Sequence, residues 1–577
     1  MTDGLLARLL PASVWLRGYT RPDLTADLKA GATVAVLVIP QAMAYAALAG
    51  VPPITGLYAA MVSLVVYAVF GTSRFISVGP VAIDSLLTAA AVGPLAHGDA
   101  TTYLALASLL ALTVGVLQTV AGLARLGALV NFLSVPVISG FTTAAALTIA
   151  ASQLKDLLGL TLTGQVSTFL DAVRLIGPQL GHAKPLTLVL AAAGVVGLLA
   201  LKRWLPAIPG PLLVVAALTA VVWGAGWSDR VTVLGEVPSG LPTPGLPDVA
   251  WADVGTLLPS AAAIALISYM ESISTGTAFA RRSRTRVEPD QELIAVGLAN
   301  AASGLSHGFP VAGGFSRGAV NFNAGARSPL SGVIASALIV AALFTATPLL
   351  AHLPKVALAA VIVVAVASLI DLKGAWGIGQ VRRSDLVALL VTALATLVLG
   401  PAPGLGVGVA VSVALFLRHS ARPHIPELGQ VPGERVYRNV TRHEVLTCPQ
   451  LAIVRIDAPL SFASARPIAD RLAEVVRERP NACYLVVDAS AINTADYTGV
   501  DMLSTLSDDL GAAGVELHLA AVRGPVSDIL ERDAAYRALV AAGRVHRSVP
   551  EAVDSITGSL GLDPGTAAGP GPGTSPG

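Results

Sequence analysis

Two short stretches decide the fold of this sequence: FISVGPVAIDSLL at residues 75–87 and GFPVAGGFSRGAV at residues 308–320. Each starts as an extended apolar run, passes Gly or Pro, and continues as a helical pattern too short to cross a bilayer alone. They stand third among the apolar segments of the first and the second half of the chain. Matched broken helices are typical of inverted repeats in transporters, and two facing half-helix N-termini favour an anion between them.

The sequence around these stretches is poor in charge. Only 13% of the 577 residues are charged and 54% are apolar, whereas soluble proteins carry about 25% charged residues. Long uncharged windows, among them 31–73, 126–154 and 386–417, each hold one or two spans of about 20 residues. Divided at their Gly and Pro breaks, the windows predict about 14 transmembrane segments, with 12 as the alternative count.

Basic residues predict how these segments are oriented, because cytoplasmic loops are enriched in Lys and Arg. The segment 1–29 and the loops after the even-numbered spans carry the bases, including four arginines at 281–286, whereas the loop 228–253 is mainly acidic. We therefore expect a multi-pass protein of the cell (inner) membrane with both termini in the cytoplasm. The first 30 residues contain no pattern of a cleavable signal peptide.

The C-terminal part has a different composition. Residues 421–577 carry 14 basic and 19 acidic side chains, whereas the first 420 residues carry 23 and 17. Buried-strand patterns at 451–459, 482–490 and 515–522 alternate with helical patterns, which predicts a small α/β domain. The helical patterns cover 464–479, 499–511 and 527–541, and the Gly/Pro-rich residues 561–577 are expected to form a disordered tail.

Two charged residues lie inside apolar windows and are candidates for transport chemistry. An unpaired carboxylate at Glu271 would cost several kcal/mol in lipid, so we expect it to be protonated, paired or facing a wet cavity. It is either a coupling-ion or proton site, or a structural acid bonded to a neighbouring helix. Arg317, at the start of the second half-helix, is expected to contact an anion or Glu271, with a position at the membrane boundary as the alternative.

Other polar residues give weaker signals. Asp84, in the first half-helix, is interpreted as a stabilising structural residue near the positive helix end. Gln41 and Tyr45 lie one helical turn apart, so both side chains point from one face of the helix. Two roles stay open for them: packing inside the bundle and ligand binding. The chain contains no P-loop, zinc spacing or serine-hydrolase motif, and its near-zero net charge of +1 gives no sign of a nucleic-acid partner. We expect neither an enzyme nor a metal or cofactor site.

Four segments together resemble the SulP (sulfate permease) family of anion permeases: IPQAMAYAALAGVPPITGLYAA at 39–60, GTSRFISVGPVA at 71–82, MESISTGTAFA at 270–280 and GGFSRGAVNFNAGA at 313–326. The C-terminal region resembles a STAS domain. The resemblance implies a seven-plus-seven inverted repeat, with repeats at about 30–226 and 255–418. It also implies a homodimer whose core domain moves like an elevator against a gate domain.

The resemblance sets the expected domains and function. The predicted domains are a cytoplasmic N-terminal segment at 1–29, a transmembrane transport domain at 30–420, a cytoplasmic STAS domain at 421–560 and the tail at 561–577. The expected function is proton-coupled uptake of sulfate or a similar oxyanion. The alternatives are a bicarbonate or dicarboxylate symporter, an anion exchanger and, from another class, a membrane signalling protein acting through the STAS domain.

The resemblance also implies site residues. Glu271 matches the carboxylate of proton-coupled plant-type members, so we expect a proton rather than sodium as the coupling ion. Thr498 matches the phosphorylated residue of bacterial STAS proteins, although Tyr497 replaces their usual small residue; from the residues alone Thr498 is interpreted as a helix cap. The residues matching the family's substrate site are Gln41, Tyr45, Ser77, Val78, Gly79, Val81, Ala82, Phe315, Ser316 and Arg317.

Overall fold

A computed structural model describes residues 10–128, 134–162, 166, 168–205, 210–235, 240–249, 252–345, 351–560 and 569–570. Contacts between Cα atoms divide the chain into two compact units, Met1–Ser412 and Val413–Gly577. The predicted tail at 561–577 lies outside the described residues except for Gly569–Pro570, and residues 1–9 of the predicted N-terminal segment also lie outside them. Each unit is described by itself below.

The first half of the membrane unit starts with a break that the sequence predicts. Helix α2 ends at Leu48, the chain turns at Gly50 with a positive φ of 80°, and the next helix begins at Pro53. Proline fits a first helical turn because its missing N–H has no partner there. The elements are α1 Ala12–Leu16, α2 Arg21–Leu48, α3 Pro53–Phe70, β1 Val78–Gly79, α4 Ala82–Val92, α5 Ala100–Leu123, α6 Val135–Leu158, α7 Phe169–Ile176, α8 Pro185–Trp204 and α9 Gly210–Gly224.

The second half repeats this order. Its elements are α10 Ala252–Ser283, α11 Pro289–Leu305, β2 Ala312–Gly313, α12 Phe315–Asn323, α13 Leu330–Thr345, α14 Lys355–Val366, α15 Leu372–Val381, α16 Arg383–Leu399 and α17 Pro401–Ser420. In each half, two long helices precede a two-residue strand and a short helix. A short amphipathic helix, α7 in the first half and α15 in the second, follows the fifth helix counted from α2 or from α10. Without these two and the five-residue helix α1, the described residues give seven helices in each half, which confirms the predicted inverted repeat with two half-helices.

The two strands meet each other at the centre of the repeat. Val78 pairs with Gly313 and Gly79 with Ala312 in an antiparallel register. The half-helices that follow are 11 and 9 residues long, so they extend about 16 and 14 Å, roughly half of a bilayer's hydrocarbon core. By length and composition, eight helices within the described ranges could cross a membrane.

Close helix packing holds the second broken segment in place. Helices α5 and α11 approach through glycines: a Cβ built on Gly115 would lie 2.6 Å from the carbonyl oxygen of Gly297, and one on Gly304 would lie 2.6 Å from that of Ser108. Only residues without side chains allow backbones so near, a common device in membrane helix pairs. Because α11 leads directly into β2, this contact fixes where the second half-helix starts.

The second unit contains a four-stranded parallel sheet in the order β6-β7-β8-β9, flanked by helices, which confirms the predicted α/β domain. Its elements are β3 Leu428–Gln430, β4 Tyr437–Asn439, β5 Leu446–Thr447, β6 Leu451–Arg455, α18 Ala465–Glu478, β7 Tyr484–Asp488, α19 Tyr497–Ala512, β8 Glu516–Ala520, α20 Gly524–Leu530, α21 Ala534–Ala541, β9 Val545–His546, α22 Val549–Leu560 and β10 Gly569–Pro570. The strands β3, β4, β5 and β10 form a separate antiparallel sheet.

The single helix predicted at 527–541 is wrong. The structure divides it into α20 and α21 at Asp533, whose carboxylate accepts hydrogen bonds from the backbone N–H groups of Ala535 and Tyr536. An aspartate that caps a new N-terminus competes with helix continuation, and the apolar periodicity on both sides concealed the break.

Candidate functional site

The two half-helices begin next to the paired strands β1 and β2. The N-cap residues are Val81 for α4 and Gly314 for α12, and neither side chain forms a capping hydrogen bond. The N–H groups of the first turn of each helix are therefore without a side-chain cap. The positive ends of two helix dipoles thus start from one antiparallel strand pair, as the sequence stretches at 75–87 and 308–320 predict.

Arg317 lies in the first turn of α12 and is buried. Its guanidinium donates to backbone carbonyls of both broken segments: Nε to Ser77 at 3.3 Å, Nη1 to Pro80, and Nη2 to Gly79 at 2.9 Å and to Ala312 at 3.1 Å. The interpretation of a boundary position for Arg317 is therefore wrong. The side chain joins β1 to β2 and holds a positive charge between the two half-helices.

Glycine is required beside this guanidinium. A Cβ on Gly314 would lie 3.1 Å from Nη2 of Arg317, and one on Gly313 would lie 2.7 Å from Cγ2 of Ile76. A side chain at either position would push the guanidinium or the facing strand away. The GG pair of the second stretch thus permits the close approach of β1, β2 and Arg317.

Arg317 and Glu271 do not form an ion pair in the described part of the chain. Glu271, on α10, acts electrostatically on Arg317, as do Asp84 and Tyr45, but no carboxylate oxygen comes within 4 Å of the guanidinium. The expected contact of Arg317 with Glu271 is corrected accordingly. The backbone carbonyls already occupy most N–H groups of Arg317, so Glu271 interacts with its charge across a distance.

Several buried polar atoms around this point have no hydrogen-bond partner among the described residues. They are Oγ of Ser77, both carboxylate oxygens of Asp84, Oε2 of Glu271 and Oδ1 of Asn321. Buried polar atoms are nearly always hydrogen-bonded, so this cluster is the candidate site for a ligand or a proton. Asp84 is fully buried in the first turn of α4, near the positive helix end as the sequence predicts, and its carboxylate accepts no hydrogen bond among the described residues; its structural role stays a prediction.

The structure brings most of the predicted site residues together. Gln41 and Tyr45 are buried on α2, and Tyr45 is within electrostatic reach of both Arg317 and Glu271. Phe315 and Ser316 lie exposed on the first turn of α12, where Phe315 stacks on Phe279 at a centroid distance of 5.3 Å. The buried residues of the first broken segment are Ser77, Val78, Gly79, Val81 and Ala82. Their roles in substrate binding stay predictions.

Polar residues that sequence reasoning missed support the second broken segment. Asn300 accepts from the N–H of Val311 at 2.8 Å and donates to its carbonyl at 2.9 Å, so its amide replaces a strand partner. Ser272 Oγ accepts from the N–H of Gly313 at 2.8 Å, and Thr275 Oγ1 donates to the Gly313 carbonyl at 3.2 Å. Such residues within apolar windows were the available signal, because polar side chains there need partners.

Sequence reasoning also missed two buried carboxylates, Glu292 on α11 and Asp27 on α2. Glu292 accepts from Tyr67 Oη at 2.9 Å, from Thr72 N at 2.7 Å and Oγ1, and from Ser73 N at 3.0 Å. Asp27 also accepts four hydrogen bonds: from Tyr19 Oη, Arg327 N, and N and Oγ of Ser328. Both acids occur near the start of apolar helices, where the sequence suggested ordinary charged helix ends.

A partly open cavity of about 120 Å³ lies farther along α4, on the side away from its N-terminus. Leu86, Tyr103, Lys155, Asp156 and Lys355 are among its lining residues. The charges of both lysines act on Asp156, but no ion pair connects them in the described ranges. The cavity therefore has one more positive than negative group, which suits a hydrated anion.

In the second unit, Thr498 is not the helix cap. Asp496 caps α19 by accepting from the N–H of Gly499 at 2.9 Å, and its other oxygen accepts from Phe462 N at 2.8 Å. Thr498 is exposed in the first turn, next to the exposed side chain of Tyr497. Asp is as good an N-cap as Thr, and its position two residues earlier sets the start of the helix. Thr498 as a phosphorylation site stays a prediction.

Comparisons with known proteins agree with this architecture. The model of the sulfate permease family matches residues 24–392, and that of the STAS domain matches residues 442–552. A probable sulfate transporter of Mycobacterium tuberculosis is 37% identical over 549 residues, covering 95% of this chain and 98% of that protein. Probable sulfate transporter 4.2 of Arabidopsis thaliana is 35% identical, covering 90% and 79%. The murine solute carrier 26 family member A9 anion transporter, solved in an inward-facing state, superimposes with a TM-score of 0.88 at 25% identity, covering 96% and 95%.

Proposed function

Because the chain belongs to the sulfate permease family, whose members are membrane anion transporters rather than enzymes, we propose that it takes up sulfate or a similar oxyanion together with protons. The names of the similar proteins support sulfate as the substrate. The proposal includes an inner-membrane location, cytoplasmic termini and a homodimer. The basic loops between the apolar windows support the orientation.

The substrate binds between the N-termini of α4 and α12. Uncapped N–H groups of both first turns face this place, and the fixed positive charge of Arg317 adds to the two helix dipoles. The hydroxyl of Ser316 and the side chains of Gln41 and Tyr45 complete the proposed donors. Since its N–H groups are mostly engaged with carbonyls, Arg317 attracts the oxyanion mainly through its charge.

One observation carries the proton coupling: a carboxylate oxygen of Glu271 is buried without a hydrogen-bond partner in the described region. In its ionised form this carboxylate repels an oxyanion that approaches Arg317. A proton on Glu271 removes both the repulsion and the cost of a buried unpaired charge. By linkage, a proton that favours substrate binding is itself bound more tightly when the substrate is present, which is the requirement for symport.

The site is compact enough to move as one body. Its residues and their supports come from α2–α5 and α10–α13, and the paired strands tie the two halves of this group together. A rigid group that carries the whole binding site can transport its substrate by moving against the remaining helices, which supports an elevator-like mechanism. The cavity lined by Lys155 and Lys355 adjoins α4 on the predicted outer side and offers a place for an entering anion.

The decisive experiment is uptake of labelled sulfate into proteoliposomes under imposed proton or sodium gradients, with bicarbonate, fumarate and chloride as alternative substrates. We expect sulfate to accumulate with an inward proton gradient and not with a sodium gradient. Glu271→Gln should lower this accumulation at least about tenfold, because one coupled proton is lost, and should leave sulfate–sulfate exchange partly intact.

Glu288→Gln is the matched control, since Glu288 is an exposed glutamate at the cap of α11. It should accumulate sulfate like the wild type. Unchanged proton dependence in Glu271→Gln would reject Glu271 as the coupling residue. Accumulation of bicarbonate or fumarate in place of sulfate would favour the alternative substrates, and a chain without any transport would favour the signalling function of the STAS domain.

A further inference from the structure

Asp84 is a second buried acid beside the proposed substrate site. It lies in the first turn of α4 and is fully buried, and neither carboxylate oxygen has a hydrogen-bond partner among the described residues. The other unpartnered atoms at the site belong to a hydroxyl, an amide and one oxygen of Glu271. Asp84 therefore has less support for a negative charge than any of its neighbours.

The helix end does not compensate for this isolation. The dipole at a helix N-terminus stabilises a nearby anionic group only modestly. An ionised carboxylate without hydrogen bonds in an apolar environment costs several times more. In the conformation that the structure describes, Asp84 therefore favours the protonated form, and it ionises only where water reaches its carboxylate.

The ionisable neighbours of Asp84 form one electrostatic group. Glu271 on α10 and Arg317 on α12 act on Asp84, and Tyr45 on α2 lies within reach of the same two residues. Arg317 does not neutralise Asp84 by direct pairing, because its N–H groups are bonded to backbone carbonyls. The group contains one fixed positive charge and two carboxylates that can each bind a proton.

We propose that Asp84 is a second proton-binding site, so that Asp84 and Glu271 each carry one proton when a divalent oxyanion is bound. The inference rests on the proposed function. After the substrate has left, water in its place supports the ionised form of both acids, and the group of Asp84, Glu271 and Arg317 then carries one negative charge. With both acids protonated and sulfate bound, it again carries one negative charge, because two protons balance the dianion. The loaded and the empty core then cross the membrane with equal charge.

The accumulation ratio of sulfate measures the number of coupled protons. With the membrane potential held at zero by valinomycin and equal potassium, a gradient of one pH unit supports about 100-fold accumulation for two protons and about tenfold for one. We expect the wild type to approach the higher ratio and Asp84→Asn the lower one. Asn is the test residue because it has nearly the same shape and cannot ionise.

The charge moved per cycle gives an independent readout. Two protons with one sulfate move no net charge, so wild-type uptake should be insensitive to an imposed potential. Asp84→Asn should move one proton with each sulfate, so an inside-negative potential should slow its uptake. Asp229→Asn is the matched control because Asp229 is an exposed acid, and it should behave like the wild type in both measurements.

The outcomes separate this inference from the proposed function. A wild-type ratio of about ten, with Asp84→Asn unchanged, would overturn the second proton site and leave proton-coupled uptake intact. A wild type that follows a sodium gradient, or that does not accumulate sulfate with a proton gradient, would overturn both. If Asp84→Asn fails to fold, Asp84→Glu, which retains the carboxyl group, and the potential dependence of the wild type still decide the question.

Discussion

Four carboxylates with buried oxygens, those of Asp27, Asp84, Glu292 and the half-buried Glu271, divide the membrane unit into two kinds of place. Glu292 and Asp27 each accept four hydrogen bonds, two of them from consecutive backbone N–H groups. Glu271 has one buried oxygen without a partner and Asp84 has two, within the residues described. All four occur in apolar helices, so burial alone does not distinguish them. The number of hydrogen-bond donors around each carboxylate distinguishes them.

The two kinds of place have different positions along the broken segments. Glu292 holds Thr72 and Ser73, which lead into β1, and Asp27 holds Arg327 and Ser328, which follow α12. The acids with four hydrogen bonds therefore fix the start of the first broken segment and the end of the second. The acids without partners lie between these points: Asp84 on the first half-helix, α4, and Glu271 on the neighbouring helix α10. The hydrogen bonds of the satisfied acids thus anchor the two broken segments, and the space between the half-helices is where we propose that the anion and its protons bind.

The largest expected effect is the loss of stability in Glu292→Ala. The substitution leaves two buried and two part-buried donors without an acceptor, and breaking a buried charged network typically costs about 3–5 kcal/mol. We expect the folded, detergent-solubilised protein to lose most of its thermal stability in fluorescence-detected size exclusion. Glu271→Ala, at an acid whose buried oxygen has no donor to lose, should change the melting temperature little. Equal losses in both variants would contradict the comparison.

A smaller effect is expected at Arg317, which combines the hydrogen-bonded anchoring of Glu292 and Asp27 with a position at the proposed substrate site. Its guanidinium is anchored like the satisfied acids, but its charge faces the proposed ligand. Arg317→Ala should raise the KM for sulfate at least about tenfold, which corresponds to about 1.4 kcal/mol of lost binding. Arg317→Lys should recover only part of this, because an ammonium group cannot donate in the planar fork that reaches both strands.

Arg327→Ala is the control for this measurement. Arg327 is more than half exposed and forms an ion pair with Asp23 at 2.9 Å, which is a surface contact of small energetic weight. Its KM should match that of the wild type. A wild-type KM in Arg317→Ala would remove the guanidinium from the substrate site and leave it with the structural role of joining β1 to β2.

The sequence was sufficient for the architecture because the signals that set it are local. The break at Gly50 and Pro53, the two broken helices and the change to an alternating strand and helix pattern after residue 421 follow from residue types and spacing. The motifs at 39–60, 71–82, 270–280 and 313–326 identified the family, and the family models confirm it. The boundaries proposed for the domains and the roles of the site residues stay predictions.

The partners of the charged residues could not be predicted from the sequence. Whether Arg317 meets Glu271 or a carbonyl is decided by residues about 240 positions away, at Ser77 and Gly79. The same applies to Glu292, whose donors at Thr72 and Ser73 are about 220 positions away. Hydrophobic periodicity reports which face of a helix is buried, but it carries no information about which polar groups meet there.

The smallest expected effect tests whether unpartnered titratable groups stay neutral in the second unit as well. His518 on β8 and His546 on β9 are buried, with Nδ1 of His518 3.0 Å from Nε2 of His546. Nε2 of His518 has no hydrogen bond within 3.5 Å among the described residues, and a carboxylate oxygen of Glu516 lies 3.7 Å from it. Burial, together with the charges of His546 and Arg544, lowers the pKa of His518 to about 4, and burial also lowers that of His546.

The sign of the pH dependence follows from these directions. Between about pH 6.5 and pH 4 the unfolded chain binds protons at His518 that the folded domain does not, so the stability of the second unit falls as the pH decreases through this window. We expect a loss of folding free energy on the order of 1–3 kcal/mol.

This loss can be measured in the full chain by urea titration with a fluorophore on the exposed Cys483, after Cys448→Ser. His518→Phe should flatten the dependence, whereas the exposed control His443→Asn should retain it. A wild-type midpoint that does not move between pH 7 and pH 4.5 would show that these histidines accept protons without unfolding, and the rule drawn from Asp84 and Glu271 would then be confined to the membrane unit.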